Sequence, residues 1–395
     1  MKQDKIRSTA PSASELVNRA RALAPRIASR STSAEKAASL HEETIEELRD
    51  AKLFRILQPT SFGGFAMDFE SLVRVSSELG KACGSASWVY SVGAFHSWNI
   101  GLFPALAQEE VWGSNPNALA ASSYIPAGKA MSVPGGVQLS GRWPFASGCN
   151  HFEWIILGAK EDGSDQAHLY LVSKSDFKIK KDWNVVGLSA TGSNTVVLDD
   201  VFVPDHRKIS FSDATEGIAP GAEIYGNLYS LPFFAVSSYC LVGPALGMAW
   251  GAFDNYVQEI RGREVRSITG VSSKLAEYHA VQMRVSEASG MIDAATELIL
   301  RDCRDIIATV NVGQTITMEQ RARNKRDQAL AIHFAKAAVR LIIDGAGAKG
   351  LDKDQPIQRA WRDLQAASSH ITLSWDVLMP AHGRVILGLE AGIVM

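Results

Sequence analysis

Hydrophobic periodicity changes twice along this 395-residue chain, and that double change limits the fold more than any single motif. Up to about Asn117 apolar residues recur at helical spacing. Leu16, Ala20, Leu23 and Ile27 line one face of a segment from Glu15 to Ser29, and Leu40, Ile45, Leu48 and Leu53 line the next, after Ser33. Phe62-Gly63-Gly64 interrupts the pattern, which resumes over Glu70–Leu79 and Ala86–Leu102. From about Ala118 to Ala219 the signal is that of strands. Val137-Gln138-Leu139 alternates, Trp154–Leu157 is a continuous apolar run, and His168–Val172 and Thr195–Val203 follow. From Ala222 onward, Pro232–Glu259, Ser272–Arg304, Glu319–Ile343 and Pro356–Leu389 are long enough for a four-helix bundle. The reading is an α+β chain in segregated layers: residues 1–117 helical, 118–220 a compact antiparallel barrel or sandwich, and 221–395 the bundle. An alternating βαβ nucleotide-binding sheet is excluded.

Composition narrows the classes further. Forty basic and 42 acidic side chains leave a formal charge of −2, which argues against nucleic acid or an anionic membrane as the main partner. Cys83, Cys149, Cys240 and Cys303 form no CxxC pair, so neither a zinc site nor a dithiol motif is expected. The polar stretch Met1–Ser14 carries no apolar signal region, and no run reaches the ~18 apolar residues of a membrane span. The expectation is a soluble cytoplasmic protein without a metal.

Motif matching yields one literal hit. Gly345-Ala-Gly347-Ala-Lys-Gly350 satisfies GxGxxG, but an amphipathic run, Ala329–Ile343, precedes it where a strand is needed. A glycine-rich helix end is the better reading. No HExxH, GxSxG or phosphate-binding P-loop occurs.

Three segments place polar groups among apolar ones. Ser85–Trp98 carries His96 with Trp88, Phe95 and Trp98; it reads either as a buried helix or as the wall of an aromatic pocket. Gly141–Asn150 carries Trp143-Pro-Phe145-Ala-Ser147; it reads as a strand ending in a turn, or as a hydroxyl beside a flat ligand. Arg359–Asp363 followed by Ser368-Ser369-His370 reads as charge pairing on a helix and then a break. Alone, none of these names a reaction.

Together, and in this order, they resemble the acyl-CoA dehydrogenase fold: an N-terminal helical domain, a central antiparallel β-barrel and a C-terminal four-helix bundle. The resemblance runs from about Glu35 to Gly388. Its landmarks are Trp143–Gly148, Leu198–Pro204, Ala252–Arg263, Ile343–Gly347 and Arg362-Asp363. The dehydrogenases need a carboxylate base, supplied either just after the Arg-Asp element or early in the first bundle helix. Here the first place holds Ser368-Ser369-His370-Ile371, and no Asp or Glu occurs between Glu223 and Asp254. The chain is instead similar to the flavin-dependent monooxygenases on this fold, the oxygenase components of two-component systems acting on phenols, indoles and related aromatics.

That resemblance implies reduced FAD or FMN from a separate NAD(P)H:flavin reductase, O2 as cosubstrate, a C4a-hydroperoxyflavin, and a homotetramer whose flavin sites involve adjacent subunits. It implies hydroxylation or epoxidation of a small phenolic or indolic ring, with acyl-CoA dehydrogenation or N-/S-oxygenation as the alternatives. His96, Ser147 and His370 match catalytic positions. Ser147 would hold the proton at flavin N5, His370 would stabilise charge developing near C4a, and His96 would accept a substrate proton. Phe145, Ser147 and Trp183, with Ser122 and Ser123, would lie along the flavin. Arg263, nine residues after Asp254, would meet its phosphate, with Gly345 and Gly347 nearby. Trp88, Phe95, His96, Trp98 and Phe234 would wall the substrate pocket.

Overall fold

The computed structural model describes residues 10–266 and 272–395; the first nine residues of the polar N-terminal stretch lie outside them. Five helices come first: α1 (Ala13–Ala37), α2 (Glu42–Asp50), α3 (Phe69–Gly80), α4 (Gly84–Ile100) and α5 (Ala105–Trp112). The Ser12 side chain caps α1 by accepting from the Glu15 N–H. α1 runs on past Ser29 because its buried stripe continues through Ser31 and Ala34, residues too small or too polar to register as a hydrophobic period. α4 is buried at every position and is the axle of the first layer.

Seven strands follow: β1 (Ala120–Val133), β2 (Gly136–Ala146), β3 (Trp154–Glu161), β4 (Ala167–Ser173), β5 (Lys178–Lys180), β6 (Asn194–Pro204) and β7 (Lys208–Ser210). They form one sheet in the order β5-β6-β2-β1-β3-β4-β7. The sheet is open and mixed rather than a closed antiparallel barrel. Its end strands β5 and β7 do not pair, and β1 runs parallel to β3. The cause is simple: β1 turns back into β2 at Gly135, the chain turns again, and β3 is laid on the far side of β1. Strict up-and-down alternation along the chain then makes β1 and β3 point the same way.

Three short helices, α6 (Phe211–Glu216), α7 (Pro220–Tyr225) and α8 (Phe233–Val236), lead into the bundle. Its members are α9 (Tyr239–Arg261), α10 (His279–Asn311), α11 (Met318–Ala346), α12 (Pro356–Ser368) and α13 (Trp375–Ile386). Between α9 and α10 lies a hairpin of β8 (Glu264–Arg266) and β9 (Ser272–Lys274), so the expected helix from Ser272 starts only at His279. The fourth expected segment is divided: α12 stops at Ser368, a short 3-10 turn spans Ile371–Leu373, and α13 restarts. α11 ends at Ala346 and Gly347 takes φ 69°, so the GxGxxG match is a helix terminus.

The expectation about apolar runs also needs correction. The run Phe233–Arg261 is long and apolar enough, by length and composition, to cross a membrane. In the fold, 89% of its most apolar window is buried, because α3, α4, α10, α11 and α12 pack around α9. A helix surrounded on all sides is hydrophobic all round.

Candidate active site

His96 projects from the middle of α4 against β1. Its Nδ1 lies 2.6 Å from the Ala120 carbonyl and its Nε2 lies 2.8 Å from Ser122 Oγ. A carbonyl only accepts, so Nδ1 carries the proton and Nε2 accepts from the Ser122 hydroxyl. Burial lowers the imidazole pKa to about 4 and keeps it neutral. Tyr124, two residues on along β1, meets the His96 ring edge-on at 6.0 Å and Phe233 at 5.0 Å. Phe211 and Phe234 extend this wall, with Phe234 5.2 Å from Phe233.

The other expected pocket aromatics divide. Phe95 stacks on Trp98 at 5.3 Å, and the Trp98 indole N–H donates to the Leu228 carbonyl at 2.9 Å; both rings are buried and back the wall, meeting Phe233 at 5.7 and 6.3 Å. Trp88 is buried on the same helix but reaches His370, with ring centroids 6.2 Å apart.

His370 owes its place to the break after α12. Its Nδ1 accepts from the Thr372 N–H at 3.3 Å and the Thr372 hydroxyl at 2.9 Å. The neutral ring therefore carries its proton on Nε2. The residue is exposed to solvent, yet protein atoms crowd the ring. Burial first, and the Lys325 ammonium second, lower its pKa to about 4. Lys325 is buried on α11 and donates to Ser238 Oγ at 2.9 Å; Ser238 in turn meets the Thr372 carbonyl at 3.4 Å.

The end of β2 makes the third feature. Phe145 is 63% exposed and sits at φ 64°, a backbone region that costs a bulky residue about 1–3 kcal/mol. Trp183 meets it edge-on at 6.2 Å. Ser147 is half-buried beside them, its Oγ 2.8 Å from Ser193 Oγ. Ser123 is turned elsewhere: it is buried and donates to the Pro144 carbonyl at 2.9 Å, stitching β1 to β2. The loop carrying Trp183 is pinned from the bundle. Asp363 Oδ1 accepts from the Leu188 N–H at 2.6 Å, and Arg362 donates to the Val186 carbonyl at 2.6 Å and pairs with Glu35.

A fourth cluster sits at the C-terminal ends of α9 and α11. Arg263 donates to the Ala346 carbonyl at 3.3 Å, and Gly347 lies against the same guanidinium. A Cβ on Gly345 would stand 2.6 Å from Tyr256 Oη and 2.7 Å from Arg284 Cδ, so only glycine fits. Tyr256 Oη and Arg284 Nε are buried with no partner among the described residues. Two unsatisfied polar atoms beside Arg263 and a glycine backbone suit an anionic oxygen such as a phosphate. α9 has 23 residues, so this cluster lies about 35 Å along the helix from Ser238 and the His370 neighbourhood.

The structure thus joins His96 to Ser122, Trp88 to His370, Phe145 to Trp183 beside Ser147, and Arg263 to Gly345 and Gly347. Sequence reading missed Tyr124, Phe233, Thr372, Lys325, Tyr256 and Arg284. Only Tyr124 carried a signal, since strand alternation puts it on the Ser122 face.

Comparison with known proteins gives the family. A family model described as acyl-CoA dehydrogenase, N-terminal domain, matches residues 11–113, and one described as acyl-CoA dehydrogenase, C-terminal domain, matches residues 239–375. The chain is 38% identical over 386 residues to the FADH(2)-dependent resorcinol hydroxylase, oxygenase component, of Rhizobium sp. (strain MTP-10005), across 95% of this chain and 94% of that one. Among solved structures, 3-HSA hydroxylase from Rhodococcus sp. RHA1 matches with a TM-score of 0.90 at 33% identity, over 95% of this chain and 97% of that one. XiaF from Streptomyces sp., solved with FADH2 and glycerol, matches with a TM-score of 0.89 at 26% identity, over 99% and 98%.

Proposed function

This chain belongs to the flavin-dependent oxygenase components built on the acyl-CoA dehydrogenase fold, and on that premise we propose that it hydroxylates or epoxidises a small phenolic or indolic ring. Reduced FAD or FMN would come from a separate NAD(P)H:flavin reductase, with O2 as cosubstrate. The observation that carries this reading is the polarity of three side chains in a chain whose two base positions hold no carboxylate: His370 offers an N–H, Ser147 an oxygen, and the His96–Ser122 pair an acceptor. Neither position that supplies the dehydrogenases' base holds an acid here, so proton abstraction from a thioester has no agent.

When bound, reduced flavin supplies the two electrons that let O2 deliver one oxygen atom to the ring. Phe145 and Trp183 would flank its ring system, and Arg263 and Arg284, with Tyr256, would hold phosphate. His370 Nε2–H would donate a hydrogen bond to oxygen as negative charge builds there, a fixed dipole in a walled site. Ser122 spends its proton on His96 Nε2, so its lone pairs are free to accept a substrate O–H or N–H. His96, neutral and with a pKa near 4, is too weak to take that proton unaided and would act through Ser122. Tyr124, Phe233 and Phe234 would exclude water and hold the ring.

The family resemblance implies a homotetramer, and we infer one in which the phosphate cluster and the ring site belong to adjacent subunits. We assign residues 1–117, 118–220 and 221–395 as the three domains, the middle one a barrel-like sheet, and place the enzyme in the cytoplasm, away from membranes. The test is rapid mixing of the protein and reduced flavin with oxygenated buffer. A transient near-ultraviolet absorbance that decays faster with a phenol or indole supports an oxygenase. Direct return of oxidised-flavin colour, together with bleaching by an acyl-CoA, would overturn it.

A further inference from the structure

Ser147 is the head of a chain of hydroxyls. Its Oγ lies 2.8 Å from Ser193 Oγ, Ser193 Oγ lies 2.7 Å from Thr191 Oγ1, and Thr191 Oγ1 lies 2.8 Å from the Leu188 carbonyl. Ser193 and Thr191 are buried, while Ser147 remains half-open at the other end.

The direction of this chain is fixed by its last member. A carbonyl has no proton, and two oxygens 2.8 Å apart must share one, so Thr191 donates to Leu188. Thr191 has then spent its only proton, so Ser193 must donate to Thr191. Ser193 is spent in turn, and Ser147 must donate to Ser193. The anchor is itself held: Leu188 sits at φ 53°, and its N–H is gripped by Asp363 Oδ1 at 2.6 Å. Bonds aligned this way strengthen one another.

We propose that Ser193 and Thr191 are positioning residues: they turn the Ser147 proton inward and present its lone pair to the bound cofactor, so that Ser147 works as an acceptor and not as a donor. The proposal rests on the flavin-oxygenase reading above and adds to it the two residues that set the sign of the Ser147 contact. An acceptor holds an N–H in place on a reduced ring. A donor in the same position would set its O–H against that N–H and lose the contact. Without the relay the Ser147 hydroxyl rotates freely and offers either.

The test compares Thr191→Val with Thr191→Ser. Valine keeps the shape and removes the hydroxyl; serine keeps the hydroxyl and trims the methyl. Both are assayed with flavin, O2, an aromatic substrate and a supplying reductase, alongside Ser193→Ala and Ser147→Ala, for hydrogen peroxide per reducing equivalent, KM for the aromatic, and thermal midpoint. The expected result is that Thr191→Val and Ser193→Ala raise peroxide loss roughly three- to tenfold, the scale of one hydrogen bond, with KM unchanged and Thr191→Ser near the parent. Adding Ser193→Ala to Ser147→Ala should then raise the loss no further. If Ser147→Ala leaks peroxide while both relay variants stay coupled, the relay is wrong and the function stands. If Ser147→Ala itself stays fully coupled, the role given to Ser147 fails. If Thr191→Ser leaks as much as Thr191→Val, packing and not the hydroxyl is responsible, and the relay is again wrong.

Discussion

The Thr372 hydroxyl and backbone N–H both point at His370 Nδ1, from 2.9 and 3.3 Å, and so decide which nitrogen of that ring is left as a donor. Removal of the ring should lower product formation about a hundredfold, the scale of one positioned acid or dipole. His370→Ala is expected to bind flavin and to divert reducing equivalents to peroxide. Thr372→Val retains the backbone N–H, so its loss should be partial. Equal losses in the two variants would mean that the hydroxyl does more than hold the tautomer.

His96 and Ser122 make a prediction about pH. With its pKa near 4, His96 stays neutral across the working range, so kcat should show no inflection near pH 6.5 from this residue. Ser122→Ala removes the acceptor that would face the substrate and should lower kcat/KM by roughly ten- to a hundredfold without weakening flavin binding. A bell with an acid limb at pH 6–7 that disappears in His96→Asn would contradict this arrangement.

The phosphate cluster predicts flavin affinity. Arg263→Gln removes a charge-assisted hydrogen bond worth about 1.5–3 kcal/mol, so Kd for reduced flavin should rise about ten- to a hundredfold. Gly345→Ala drives a methyl onto Tyr256 Oη and Arg284 and should weaken binding without touching the ring site. Titration calorimetry of the anaerobic protein would show either effect. Unchanged affinity in both would move the phosphate elsewhere.

These residues show where sequence reading succeeds and where it stops. The α–β–α order was legible because long amphipathic helices and strand alternation are local patterns. The open sheet was not, since whether β5 meets β7 depends on how strands far apart in the chain are laid side by side. His96 and His370 stood out as polar residues among aromatics, but the partners that set their tautomers did not. Ala120 contributes a backbone carbonyl that no pattern encodes. Thr372 looks like an ordinary loop residue, and Lys325 reads as one cation among many on a charged helix. Trp98 and Phe95 were placed at the pocket by the resemblance; they stack on each other and meet Phe233 from the core side.

Lys325 supplies the final prediction. It is buried, donates to Ser238 Oγ, and has no described carboxylate within 4 Å; burial lowers its pKa to about 7, only slightly offset by Cys240. The unfolded chain holds the same ammonium protonated until about pH 10.4. Below pH 7 both states are protonated and the burial penalty is fully present. Between pH 7 and 10.4 the folded amine is neutral while the unfolded one still binds a proton, so the parent regains stability as pH rises. Lys325→Met should therefore be more stable than the parent by roughly 2–4 kcal/mol below pH 7, and the advantage should shrink steadily toward pH 10. The same substitution removes a cation that disfavours protonation of His370, so the acid limb of activity should move upward from about pH 4. Denaturant melts at a series of pH values, paired with activity profiles, measure both. A stability gap independent of pH would mean that the amine is charged in the folded state as well as the unfolded one across this range, and an unmoved acid limb would separate Lys325 from His370.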